Sequence, residues 1–319
     1  MIMKLLLTSI GKRVQLIQHL RKTFRVIGVD VSERNAARHF ADRFFTVPGC
    51  REDGYVEALL AICKREGVSG LIPLYEAEFP VLNAARERFK EQGVHLILSG
   101  ERVIDICNDK GKTAAFFERH GIPAPRVYSL EEAEAEGRYP LIVKPFDGMG
   151  SRNVFRVENR EQLRFFAGYV ANPMIQSLVR GTEYTIDVLC DEGGTPVYIV
   201  PRIRLEIRSG EVVKSKTEKQ EIVVSKTMEL LEALNQEGSV AGPLTVQCFL
   251  SEDEKEISFI EINPRFGGGV PLSFAAGADY GSALAAMCGG GQWSLRKKEE
   301  YLADFLELTM LRYDQAVFM

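Results

Sequence analysis

The run Ile257-Ser258-Phe259-Ile260-Glu261-Ile262-Asn263-Pro264-Arg265 alternates apolar and polar residues and then stops at a proline. A strand sends residues two apart to the same face, so the Glu261 carboxylate and the Asn263 amide oxygen stand side by side. Two hard oxygen donors in that relation suit a cation such as Mg2+. Gln247, in the strand-like run Thr245 to Phe249, is a candidate third oxygen. Arg265 brings a permanent charge to a phosphate in transfer or to an acyl phosphate. A polar pair on an exposed strand face is common. Here, however, Pro264 and Gly267-Gly268-Gly269 end the strand and open the backbone directly after the polar groups, as at functional loops.

Three further segments carry candidate chemistry. The apolar run Leu141 to Val143 delivers Lys144 and then the loop Pro145 to Arg152. A lysine at the end of such a strand presents a point charge to phosphate, and Gly148 and Gly150, followed by Ser151, allow backbone amides to approach an anion. In Gln176-Ser177-Leu178-Val179-Arg180-Gly181-Thr182-Glu183 a strand ends, turns at Gly181 and restarts. An apolar hinge there suits an adenine edge, and Glu183 suits ribose hydroxyls; a plain β-turn is the competing reading. Glu76 and Glu78 follow the strand ending at Pro73, and they are candidates for gripping a substrate amine. Helix-start carboxylates favoured by the dipole are their alternative reading.

Asn108-Asp109-Lys110, Val143-Lys144-Pro145, Leu178 to Glu183 and Glu261 to Arg265 occur in the order seen in ATP-grasp enzymes, which the chain resembles over nearly its whole length. More narrowly, it resembles short proteins related to the synthetase half of the carbamoyl phosphate synthase large subunit. The resemblance implies that Lys110 and Lys144 contact ATP phosphates, that the backbone of Leu178 and Val179 reads the adenine edge, and that Glu183 holds the ribose. It also implies that Gln247, Glu261 and Asn263 bind Mg2+, with Mn2+ as an alternative. Gln176 departs from the glutamate often found at the start of the hinge, which bears on one adenine-side hydrogen bond. The implied activity is that of an ADP-forming carboxylate–amine ligase acting through an acyl phosphate. Carbamoyl-phosphate-type activity on bicarbonate and a non-catalytic ATP-binding regulatory role are the alternatives.

The elements that must position these groups fall into three parts. Residues 1–108 alternate short apolar runs with helical stretches, the pattern of a doubly wound parallel sheet and, by the resemblance, of a pre-ATP-grasp α/β domain. Residues 109–180 mix short strands and helices, as expected of the small α+β lid subdomain of an ATP-grasp fold. Residues 181–319 contain longer strand-like runs around a helix at Lys226 to Asn235 and read as a larger antiparallel layer. Between them, the charged segment Ile207 to Thr217 is expected to be a flap over ATP.

Composition removes several classes. Acidic residues (44) exceed basic ones (40), which argues against a broad nucleic-acid-binding surface. The apolar start is too short for a signal peptide or a membrane span. Six scattered cysteines without a Cys-x-x-Cys pair read as reduced thiols of a cytoplasmic protein rather than a zinc site. Gly11 and Asp30 offer only one glycine of a dinucleotide fingerprint, so a dehydrogenase is disfavoured. The expected partners are a small-molecule carboxylate and an amine, with a homodimer as the candidate assembly.

Overall fold

The computed structural model describes residues 2–146, 153–208 and 210–318. Its first strand, β1 (Lys4–Leu7), carries three leucines with no exposed surface, as a strand covered on both faces requires. There follow α1 (Val14–Leu20), β2 (Arg25–Asp30), a 3-10 turn at Ala37–His39, β3 (Arg43–Thr46), α2 (Tyr55–Glu66) and β4 (Gly70–Ile72). The short helices α3 (Phe79–Ala84) and α4 (Arg86–Glu91) then lead to β5 (His95–Leu96). These strands form one parallel sheet in the order β3-β2-β1-β4-β5. Strand order reverses between β1 and β4, so a crevice opens beyond their carboxyl ends. The sequence pattern suggests one helix over Phe79 to Phe89, but the chain breaks at Ala85, whose backbone leaves the helical region.

Helices α5 (Glu101–Asn108) and α6 (Lys110–Arg119) meet at Asp109, an extended residue whose carboxylate accepts from the amides of Gly111 and Lys112 at 2.8 and 3.0 Å. That cap satisfies two of the otherwise open donors of α6. Phe117 on α6 packs against Phe259, with ring centroids 6.4 Å apart, so α6 rests on the later, larger sheet.

A four-stranded antiparallel sheet comes next, built from β6 (Val127–Tyr128), α7 (Leu130–Glu136), β7 (Leu141–Pro145), β8 (Phe155–Val157), α8 (Arg160–Tyr169) and β9 (Pro173–Ser177). Its strand order is β6-β9-β7-β8. Leu141, Val143, Val157, Leu163 and Ile175 are buried together in a core that belongs to this unit alone. Ser129 and Glu132 start α7 with reciprocal side-chain to backbone bonds.

The remaining elements are β10 (Thr182–Cys190), β11 (Pro196–Arg208), β12 (Glu211–Thr217), α9 (Glu221–Glu237), β13 (Gly242–Leu250), β14 (Ile257–Asn263), α10 (Pro271–Ala275), α11 (Tyr280–Cys288), α12 (Lys298–Ala303) and β15 (Thr309–Leu311). They form an antiparallel sheet in the order β14-β13-β10-β11-β12-β15. Tyr184, Ile186, Val188 and Val246 on one face share a core with Leu230 and Leu234 of α9. The same cluster runs on into Leu5, Leu16 and Leu20 of the N-terminal unit. Gly100 donates to the Ser239 carbonyl at 2.8 Å and the Ser99 hydroxyl to the Ala241 carbonyl at 3.1 Å, tying the same two units together.

The segment expected to be a flap is a paired hairpin. β12 lies between β11 and β15, and Ser215 and Thr217 are fully buried. Its charges mask the inward alternation: Lys214 pairs with Glu206 at 2.6 Å on the exposed face. No helix among the described residues is long and apolar enough to cross a membrane.

Candidate functional site

The large sheet gathers its polar side chains on the face away from α9. Thr185 stands opposite Gln247, Gln247 opposite Glu261, and Thr245 opposite Asn263, so directly paired residues project together. Gln247 donates from Nε2 to Glu261 Oε2 at 2.8 Å, and its Oε1 accepts from Arg204 at 2.7 Å. Arg204 also donates to Glu183 Oε1 at 2.9 Å and to the Gly210 carbonyl at 3.1 Å. One guanidinium thus spans Glu183, Gln247 and the β11–β12 turn. Burial pushes the Glu183 carboxyl up; Arg204 opposes this and Glu261 adds to it.

The four-stranded sheet supplies the facing wall. Lys144 pairs with Met174, and Ile142 with Gln176, so these four side chains share the face opposite Val143 and Ile175. Burial lowers the Lys144 ammonium to about 8; the nearby Lys110 charge adds to the drop and Glu261 resists it. Lys144 on the smaller sheet thus feels the charge of a second lysine and of a carboxylate on the larger sheet. Lys110 donates to the Phe146 carbonyl at 3.3 Å. A Cβ on Gly111 would lie 2.9 Å from the Phe146 ring, so glycine lets the start of α6 approach the end of β7.

Gln176 is 7% exposed at the end of this wall. Leu178 and Val179 run between β9 and β10 outside regular structure, and neither makes a backbone hydrogen bond to another described residue. Gly181 closes this connection at φ 138°, where a Cβ would fall 2.0 Å from the Leu250 carbonyl oxygen, so only glycine fits. Gly148, Gly150 and Ser151 lie outside the described residues.

At the other end of β14, Arg265 pairs with Glu76 and donates to the Phe266 carbonyl at 3.2 Å. The Thr245 hydroxyl donates to the Arg265 carbonyl at 2.9 Å. Beneath lies a buried pair: Arg202 donates to Asp187 at 2.7 and 3.0 Å, both residues are 2% exposed, and Ser273 adds a third bond to Asp187 at 2.6 Å. A Cβ on Gly269 would lie 2.4 Å from an Arg202 nitrogen, so the glycine loop is seated directly on this pair. Removing one member of such a pair costs about 3–5 kcal/mol, because the other charge is left buried.

The two N-terminal candidates part company. Glu76 reaches Arg265 at the crevice beyond β1 and β4. Glu78 is 3% exposed and accepts from the hydroxyls of Thr8 and Ser9, with burial pushing its carboxyl up. It fastens β1 to the turn after β4 rather than facing the gap between the sheets.

Among the described residues no group of three or more His, Cys, Asp or Glu side chains is gathered for a metal. The set Gln247, Glu261 and Asn263 offers one carboxylate and two amides. That set is too weak to cage a cation alone, yet it suits Mg2+, which keeps waters and takes phosphate oxygens. Gln247 presents its oxygen to Arg204, so its amide must turn for that oxygen to join. Arg204, Arg202 and Asp187 are absent from the motif reading; the alternation Arg202-Ile203-Arg204 within β11 is the signal that points to the arginines.

Residues 107–269 match the family described as "ATP-grasp domain", and residues 5–97 match "PylC-like, N-terminal domain". The chain is 29% identical over 266 residues to the carbamoyl phosphate synthase large chain of Campylobacter jejuni, covering 76% of this chain but 23% of that one. It therefore spans about a quarter of that relative. It is 27% identical over 233 residues to the D-alanine--D-alanine ligase of Fusobacterium nucleatum, covering 68% and 79% of the two chains. The biotin carboxylase domain of Hydrogenobacter thermophilus 2-oxoglutarate carboxylase, solved with MgADP, ADP and bicarbonate, superposes with a TM-score of 0.71. The alignment covers 94% of this chain and 72% of that one at 16% identity, a likeness of fold.

Proposed function

Because the chain belongs to the ATP-grasp family, we propose that it is an ATP- and Mg2+-dependent ligase that activates a carboxylate as an acyl phosphate for attack by an amine. The observation that carries this reading is the polar face of the large sheet, where Thr185, Gln247 and Glu261 stand side by side within the segment that matches the family. Lys144 and Lys110 hold the phosphates, Leu178 and Val179 offer backbone groups to the adenine, and Glu183 takes the ribose. Glu261 and Asn263, with Gln247, hold Mg2+, with Mn2+ a substitute. When bound, the ion offsets charge on the phosphate oxygens.

A substrate carboxylate oxygen attacks the terminal phosphorus, forming the acyl phosphate and releasing ADP. The protein's part is position and countercharge rather than covalent chemistry. An amine then attacks the acyl carbon, the bond to phosphate breaks, and the amine loses a proton. Arg265 stabilises the oxyanion in between, and Glu76 holds Arg265 in place while facing the amine. The similarity to carbamoyl phosphate synthase large chains supports a second reading, phosphorylation of bicarbonate with ammonia as acceptor. A homodimer in the cytoplasm fits both, and both act on small molecules.

Pairs of carboxylates and amines, with bicarbonate and ammonia among them, are to be assayed for stimulated phosphate release and the product weighed by mass spectrometry. ADP together with an amide product supports the ligase. A carbamoyl product selects the second reading, and AMP with pyrophosphate contradicts both.

A further inference from the structure

Arg13 lies in the turn between β1 and α1, as the residue directly before the helix. Neither the motifs nor the proposed chemistry uses it. Its charged neighbours are Arg265, Glu211, Glu76 and Arg312, brought from the glycine loop, β12, the turn after β4 and the chain after β15. Each carboxylate is already engaged. Glu76 pairs with Arg265, while Glu211 takes Lys12 at 2.6 Å and Arg312 at 3.5 Å. The Arg13 guanidinium makes no hydrogen bond or ion pair to another described residue. It lies against the glycine loop, since a Cβ on Gly268 would be 3.7 Å from one of its nitrogens. Burial and the Arg265 charge push it down to about 10.

Three arginines thus crowd a crevice whose two carboxylates are spoken for, and one of them keeps a planar fork of donors with no partner among the described residues. An unmatched, partly desolvated guanidinium is unfavourable unless an anion arrives, and a carboxylate matches the fork with two parallel bonds. We infer that Arg13 is a specificity-determining residue that binds a spectator carboxylate, one carried by a substrate but not phosphorylated. The location fits that role: the Arg13 guanidinium lies against the glycine loop and has Arg265 and Glu76, the groups assigned to the reacting centre, among its charged neighbours. This rests on the ligase reading for assigning the reacting carboxylate to Arg265. The spectator carboxylate belongs either to an amino-acid acceptor, through its α-carboxylate, or to a dicarboxylic donor.

The test is binding by calorimetry, independent of turnover, in wild type, Arg13→Gln and Arg13→Lys, each checked for folding by circular dichroism. The probes are amino acids and dicarboxylic acids, each beside its carboxamide counterpart. Wild type is expected to bind at least one carboxylate about 30-fold more tightly than its amide. Arg13→Gln should erase that preference, Arg13→Lys should restore part of it, and the affinity for ATP should not change in either. An amino acid that discriminates assigns the group to the acceptor, and a dicarboxylate assigns it to the donor. Equal binding of acids and amides by wild type, binding of no acid in the panel, or a preference that survives Arg13→Gln overturns the inference. Failure of the ligase reading would appear separately, as absent ADP formation with intact discrimination by Arg13.

Discussion

The four-stranded unit and the N-terminal parallel unit both border the candidate site, but they are attached to the large sheet in different ways. Leu5, Leu16 and Leu20 of the N-terminal unit belong to the same buried cluster as Ile186 and Leu234, and backbone bonds at Gly100 and Ser99 reinforce the seam. The four-stranded unit keeps its own core of Leu141, Val143, Leu163 and Ile175. It joins the large sheet through the connection Leu178–Gly181, where Leu178 and Val179 make no backbone hydrogen bond to another described residue, and through polar groups such as Lys144. A unit with a private core can shift as a body without opening the rest, whereas a unit sharing a core cannot. The wall that would close on a nucleotide is thus the separable one, and the wall that would select the substrate, with Glu76 and Arg13, is fixed.

The largest expected effect lies on the fixed side. Glu261→Ala should lower Mg2+-dependent ADP formation by about 10³-fold while thermal unfolding is little changed. Comparable turnover in the variant would take Glu261 out of the reaction and leave the contrast between the two walls without chemical content.

The next effect compares one substitution in two places. Leu7→Ala and Leu141→Ala each remove a buried leucine, 0% and 1% exposed, at a cost of about 2–5 kcal/mol. Hydrogen exchange should respond differently to them. Leu7→Ala should weaken protection in the N-terminal and large sheets together, and Leu141→Ala only among residues 126–177. Uniform loss of protection in both variants would mean that the three parts unfold as one.

The smallest effect is electrostatic. Lys144 sits at about 8 instead of the ordinary 10.5, because burial and Lys110 disfavour its charge. Between those values an unfolded chain binds the proton that the folded one lacks, so this group lets stability rise with pH across that window. Phosphates restore the charge. ATP binding at about pH 9 should therefore take up a fraction of a proton, read by calorimetry in buffers of different ionisation enthalpy, and Lys144→Met should abolish the uptake. Uptake that persists in the variant would assign it to another group.

Much of this arrangement is legible along the chain. The period-2 pattern around Glu261 and Asn263 and the apolar run ending at Lys144 identify strands and the face each side chain takes, because both depend on neighbours one or two residues away. What is not legible depends on which distant strands pair. Arg204 reaches Glu183 and Gln247 only because β10 lies between β11 and β13, an order no local pattern encodes. The separation of Glu76 from Glu78 depends on Thr8 and Ser9, about seventy positions earlier. Along Ile207 to Thr217, exposed charges conceal buried Ser215 and Thr217, and polarity suggests a flap where there is a strand.

The central claim is that Lys144 and Glu261, from different sheets, face one triphosphate. A crystal structure with Mg2+ and a non-hydrolysable ATP analogue tests it most directly. The account predicts terminal phosphates between Lys144 and Glu261 and the adenine beside Leu178 and Val179. A nucleotide bound elsewhere, with those two side chains touching no part of it, would contradict it.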